Sequence, residues 1–325
     1  MAKLRATGAD SRTLAVFETT YGTAPDGSGG GVYRQVSFAR NGIGGEKPLG
    51  NDSLLGQGRD GQDPYFEAEN VNGGISVPID LRGIGFWLKG LLGDPATADN
   101  GDGTYDHVFT SGGDDLPSMT IEKGHPKLTT QRFELITGFI CGSISFDLAR
   151  TGPASASIEG IAQGSTIQTA TKDSAPVAYA LRRFFQNRAS IKMAGGQLAN
   201  VTAGSFNFTN NIEGVETIRD DGKIDGVDTG EARASGSVTV RLGSDTTISD
   251  AISAETPVSM EVGYSMPGAE GFKLTFVMPR VFLPKVKESI EGPGGIDQQY
   301  DWQAAFDSVA GHMMQVTLTN DVEEY

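Results

Sequence analysis

FKLTFVMPRVFLPKVKESIEGPGGIDQQYDWQAAF, residues 272–306, decides the fold class. It reads as two strands joined by a glycine–proline connection. Gly292-Pro293-Gly294-Gly295 supplies the turn, because glycine reaches positive φ and proline presets φ at about −65°. Beyond it Gln299, Asp301 and Gln303 alternate with Tyr300, Trp302 and Ala304, the period of a half-buried strand. A hairpin of the same design lies earlier in the chain. There Ser143, Ser145 and Asp147 alternate with Ile144, Phe146 and Leu148, and Arg150-Thr151-Gly152-Pro153 forms the turn. The return strand alternates Ser155, Ser157 and Glu159 with Ala156 and Ile158. One design used twice predicts a duplicated β-module.

The stretches around these hairpins fit that reading. Ile75, Val77, Ile79 and Leu81 form an apolar face opposite Ser76, Pro78 and Asp80. Ile84, Trp87, Leu88 and Leu91 then recur at i, i+3, i+4 and i+7, predicting a short amphipathic helix that Gly93 and Asp94-Pro95 terminate. Such a helix is marginal alone and must dock on a sheet. Thr13 to Phe17, Val32 to Phe38, and Met119 with Ile121 read as strands. Residues 189–197 read as a strand with a tight turn, partnered by residues 201–211 with Phe206 and Phe208 on one face. Residues 237–242 repeat the Ile75 pattern with Val238 in the place of Ile75, and residues 245–253 replace the helix. Met260 matches Met119 and Trp302 matches Ile158, so the order of elements repeats. DNGDGTYDHVF, residues 99–109, is surplus to the repeat and behaves as a loop insertion. Residues 39–72 form a long polar loop whose apolar anchors are Leu54, Leu55, Tyr65 and Phe66, a size that normally marks function or a partner.

Composition agrees with short strands and long loops: the 325 residues include 45 glycines, without a collagen period. With 41 acidic against 26 basic side chains the formal charge is −15, which opposes phosphate binding by lysine and arginine. It serves solubility, or a surface that passes near DNA without holding it. No apolar run approaches the ~20 residues of a membrane span. The first residues lack a signal peptide's apolar core, so synthesis in the cytoplasm is expected. The lone Cys141 cannot form an internal disulfide and reads as an inert strand thiol.

No chemistry is written in the chain. His107, His125 and His312 have no metal-ligand spacing, and GxSxG, P-loop and strand–GxGxxG–helix patterns are missing. Asp99, Asp102 and Asp106, and separately Asp220, Asp221, Asp225, Asp228 and Glu231, sit in glycine-punctuated acidic loops. These are turn formers first and calcium ligands second, since the EF-hand spacing and its bidentate glutamate are missing. The expectation is a non-enzyme without cofactor, metal or catalytic residues.

Several short pieces resemble one family. Met278-Pro279-Arg280-Val281, Gly294-Gly295-Ile296 and Trp302-Gln303-Ala304 are similar to the closing strands of phage tail tube proteins. Glu18-Thr19-Thr20-Tyr21-Gly22-Thr23 resembles the start of the larger members, and the strand-then-helix step after Gly74 resembles their fold. The resemblance spans residues 18–306. It implies a mainly β fold of two tandem tail-tube-type β-sandwich or barrel modules, each with a short flanking helix. The expected division is an arm (1–31), a first module (32–163) carrying the loop 39–72, a connector (164–188) and a second module (189–325).

The resemblance further implies a structural protein of the virion tail that assembles with itself into stacked rings, a channel for genome passage to the host. Its other partners would be the tape measure, tail terminator and distal tail proteins. DNA would pass without specific binding, and no membrane would be involved. Single-module tubes resemble hexameric rings, so a two-module chain implies trimeric, pseudo-hexameric rings. Ser143, Ser145, Asp147, Ser155, Ser157 and Glu159, with Gln299, Asp301 and Gln303, would face either the lumen or the outer solvent. Leu54, Leu55, Tyr65 and Phe66 would reach a neighbouring subunit or ring. The alternative is a β-sandwich adhesin or tail-tip module binding carbohydrate or a receptor. It would want an exposed aromatic platform, whereas Trp87 and Trp302 both sit in patterns that look buried.

Overall fold

The computed structural model describes residues 4–56, 58–268, 271–288, 290 and 292–325. The chain is mainly β. Its strands of five residues or more are β1 (Arg12–Phe17), β2 (Asn70–Pro78), β3 (Tyr105–Thr110), β4 (Met119–His125), β5 (Arg132–Leu148), β6 (Ser155–Ala162) and β7 (Gly164–Gln168). After them come β8 (Ala189–Met193), β9 (Val201–Thr209), β10 (Arg233–Arg241), β11 (Val258–Ser265), β12 (Lys273–Phe282), β13 (Asp297–Ala304) and β14 (Gln315–Asn320). Two helices, α1 (Ile84–Leu92) and α2 (Thr247–Ala254), follow β2 and β10.

One antiparallel sheet runs through both halves of the chain in the order β2, β6, C-terminal half of β5, β9, β10, β13. A second sheet runs Arg34–Val36, β1, β4, N-terminal half of β5, β7. A third runs β3, β14, β12, β11, β8. The 17-residue β5 serves two sheets because its register shifts between Cys141 and Ser143, where it leaves one set of partners for the next. The core lies between the layers. Phe146 and Phe206 of the first sheet stack at 4.8 Å, and Phe276 of the third sheet meets them at 5.2 and 5.0 Å.

The same pairing occurs twice. Strand, helix and three strands (β2, α1, β4, β5, β6) pair in the order β4, β5, β6, β2, and the elements β10, α2, β11, β12, β13 pair as β11, β12, β13, β10. Ile75 lies opposite Ile158 and Gly236 opposite Trp302, so the ladders match Gly236 to Ile75, two residues from the Val238 match read from pattern. Gly236 holds that place because a Cβ there would sit 2.7 Å from the Trp302 ring.

Several expectations are corrected. Residues 272–306 do form two strands, but β12 and β13 pair only through Val281–Ala304 and Phe282–Gln303. Pro284 removes a backbone donor just beyond, and the long ladder of β13 is with β10, on its other edge. Of residues 201–211, Val201–Thr209 is strand (β9), and it pairs with β5 and β10 rather than with residues 189–197. Helix α1 is not amphipathic: all of its residues except Lys89 are buried, because sheets and the C-terminal tail cover it on several sides. Gly90 allows the close approach, since a Cβ there would meet the Met119 methyl at 2.6 Å.

The surplus segment 99–109 is no loop. Ala96–Asp99 and β3 make a hairpin whose second strand pairs with β14 at the far end of the chain. Residues 39–72, expected as one long loop, carry short strands. Arg40–Asn41 and Gly44–Glu46 pair with β2, and Leu49–Gly50 pairs with Tyr65–Phe66. Residues 164–180 begin with β7, which pairs with β5. Of residues 32–38 only Arg34–Val36 is strand.

Candidate functional site

All nine polar residues singled out from the two hairpins lie on the same face of the first sheet, the face turned away from the core. The ladders join them into unbroken rows. Ser76, Ser157, Ser145, Asn207, Ser235 and Gln303 stand opposite one another across all six strands. A second row runs Asp147, Ser205, Ser237, Asp301, and a third Gly74, Glu159, Ser143, Thr209, Arg233. Thr239 and Gln299 continue the surface beside them. The opposite face carries Ile75, Ile158, Ile144, Phe208 and Ala234 in register, all buried. Strict alternation produces this split, because successive side chains of a strand point to opposite faces.

The surface is built largely from short hydroxyl and amide side chains, with Asp147, Glu159, Asp297 and Asp301 against Arg40, Arg233 and Arg241 on and beside its rows. Many of its groups satisfy one another. The hydroxyls of Ser205 and Ser237 are 2.8 Å apart, and the Gln299 amide donates to Asp301 at 2.9 Å. Short side chains predominate on it, which leaves few groups able to hold a phosphate.

Ser76, Ser205, Asn207, Thr209, Ser235, Ser237 and Thr239 belong to this surface as well. Their signal was present, since Ser205, Asn207 and Thr209 alternate with Phe206 and Phe208. What was missing was the knowledge that β9 and β10 lie between the two hairpins.

The four loop residues lie elsewhere. Tyr65 and Phe66 form half of the ribbon with Leu49–Gly50, and Phe66 is 71% exposed. Leu54 and Leu55 sit on the stretch it encloses, Leu55 98% exposed. All four are more than half exposed.

The acidic segments are turn structures. Asp99 and Asp102 accept the amide protons of Gly101 and Thr104, and Arg219 bridges Asp221 and Asp225 at 3.0 and 2.8 Å. Among the described residues no three His, Cys, Asp or Glu side chains gather where a metal could sit. The Cys141 thiol is fully buried, which pushes its pKa up and keeps it protonated. Trp87 and Trp302 are 3% and 2% exposed, so neither supplies an aromatic platform.

No curated protein matches the chain. The sequence profile of a family described as phage tail tube protein matches residues 8–304. A mainly β chain matched over nearly its whole length by that family is a structural tail protein: it belongs to the phage tail tube proteins.

Proposed function

We propose that the chain assembles with itself into rings that stack into the tail tube, with the polar face of the first sheet turned to the channel. The observation that carries this is the continuity of that face. Hairpins far apart in sequence contribute to one six-stranded surface of hydroxyls, amides and carboxylates. An outward-facing sheet has no need of such unbroken rows, whereas a conduit must keep a polyanion moving without stable contacts.

The repeated ladder order supports two fused modules, residues 32–163 and 189–325. Each module would fill one wedge of the wall, so three copies would close a ring with true threefold and approximate sixfold symmetry. The loop 39–72 and its exposed Leu54, Leu55, Tyr65 and Phe66 would seat on the next subunit or ring. Tape measure protein inside the tube, and terminator and distal tail proteins at its ends, would be the other partners in the virion, after synthesis in the host cytoplasm.

Electron cryo-microscopy of the purified protein tests the reading. Tubes or rings with three chains each, and both halves of every chain lining the channel, are expected. Six chains per ring with one half turned outward removes the fused-module reading, and separate globules under all assembly conditions remove the tube itself.

A further inference from the structure

Residues 321–325 fold back from β14 onto the first half of the chain, and a buried histidine lies under them. Tyr325 fills the space above Gly85 of α1, where a Cβ would overlap its ring. Its hydroxyl donates to the Arg82 carbonyl at 2.9 Å and accepts from the Asn320 amide at 2.6 Å. The Arg34 guanidinium lies 5.3 Å from the centre of its ring. Lys89 of α1 donates to the Tyr325 backbone oxygen at 2.7 Å, and Arg82 clasps the Asp321 carboxylate with Nε at 2.8 Å.

The histidine is His107 of β3. It is fully buried, with its ring edge-to-face against Tyr325 at 4.9 Å. Nε2–H donates to the Val322 carbonyl at 2.8 Å, with the Asn320 side-chain oxygen at 3.2 Å, and Nδ1 accepts from the Thr97 hydroxyl at 2.9 Å. The neutral ring thus uses both nitrogens. A second proton, on Nδ1, would meet a hydroxyl that is already donating and would leave a cation shut away from water. Burial is the largest influence on His107 and lowers its pKa; the Val322 and Asn320 acceptors and the Asp106 carboxylate pull the other way without offsetting it. The other charged groups around these residues are Arg34, Arg82, Lys89 with its partner Asp94, Glu323 near Tyr105, Asp80 and Asp321. Arg82 holds Asp321 below the ordinary carboxylate range, so it stays ionised where histidine titrates. Asp80 is raised by burial and is the rival group in that window.

We infer that residues 321–325 are a pH-operated strap, closed over α1 while His107 is neutral and open once its imidazole takes a second proton and reaches water. The device belongs to the single chain, whether or not rings form. Opening uncovers Gly85 and Phe86 of α1 and the Arg34 guanidinium. The sign follows from linkage. His107 binds its proton more weakly in the closed chain than in the open one, where its pKa returns to about 6.5. The open fraction is therefore constant well above that pH and rises about tenfold per pH unit below it, down to the closed-state value.

The test is thiol labelling. Val322→Cys places a thiol on the strap at a buried position, and the native Cys141 is itself buried. Its labelling rate with dithiodipyridine, divided by that of free cysteine at the same pH, should rise about tenfold from pH 7.5 to pH 5.5. Adding His107→Gln, whose amide can donate and accept but takes no proton, should hold the ratio at its pH 7.5 value throughout. Adding Asp80→Asn should leave the rise in place. A flat ratio with His107 present, a rise that survives His107→Gln, fast labelling of His107→Gln at both pH values, or loss of the rise in Asp80→Asn overturns the switch. Nuclear magnetic resonance of the unmodified protein gives a readout free of substitutions. The His107 ring should take its proton over the same pH range in which the Tyr325 ring resonances leave their buried positions. A His107 that titrates while Tyr325 stays in place overturns the strap.

Discussion

Trp302 is where the two-layer packing can be tested in energy units. The ring lies on the buried face of the first sheet, 6.0 Å from Phe206 and over the Cα of Gly236, and is 2% exposed. Removing a buried tryptophan to alanine costs about 3–5 kcal/mol. One feature pulls the value down. The indole Nε1 is buried without a hydrogen-bond partner, and such an orphan donor costs about 1–3 kcal/mol that the substitution gives back. Trp302→Ala is therefore expected to lose about 2 kcal/mol. Trp302→Phe keeps most of the ring, drops the orphan N–H and should lose about 1 kcal/mol or less.

The assay is urea unfolding of the unassembled protein followed by far-ultraviolet circular dichroism, because tryptophan fluorescence would change with the substitution itself. Stability is read from the midpoint at constant slope. A Trp302→Ala loss below about 1 kcal/mol would refute the argument, since it would place the indole outside the core and undo the register of β13 against β10.

Three further outcomes are expected. Deleting residues 51–62, which lie beyond the paired ribbon, should leave the monomer's melting temperature unchanged but stop tube growth, as seen by negative-stain microscopy; normal tubes would make the loop dispensable. His107 is held neutral by burial, which lowers its pKa, with Nε2–H donating to the Val322 carbonyl at 2.8 Å and Nδ1 accepting from Thr97 at 2.9 Å. The unfolded chain therefore binds more protons, and stability should fall as pH drops below about 6.5; His107→Gln should flatten that slope, and an unchanged slope would clear His107 of the effect. Reversing charge on the polar face with Asp147→Lys and Glu159→Lys should leave assembly intact and make tubes retain DNA at low salt, measured by co-sedimentation. Equal retention by both would count against a channel-facing surface.

The amino-acid pattern alone determined much of this protein. Alternation is a local property, and it marked β2, β5, β6, β9 and β13 and divided their polar from their apolar residues, because a strand side chain's face depends only on its parity. The buried Trp302 follows from the same rule, while the helix after β2 follows from i, i+3, i+4 spacing and ends where glycine and proline stop it. The family, too, was legible in short pieces scattered from Glu18 to Trp302.

Partnership was decided only by the tertiary structure. Nothing local tells β13 to pair with β10 across more than fifty residues when β12 precedes it directly, or sends β3 to the last strand of the chain. Those choices depend on which sheet faces can close over one core, a property of the whole packing. Helix α1 shows the same limit: its periodicity predicted one buried stripe, yet sheets and the C-terminal tail bury it on nearly every side. The polar surface itself was seen in sequence as two separate sets. It became one wall only because β9 and β10 were inserted between the hairpins and hydrogen-bonded on both edges.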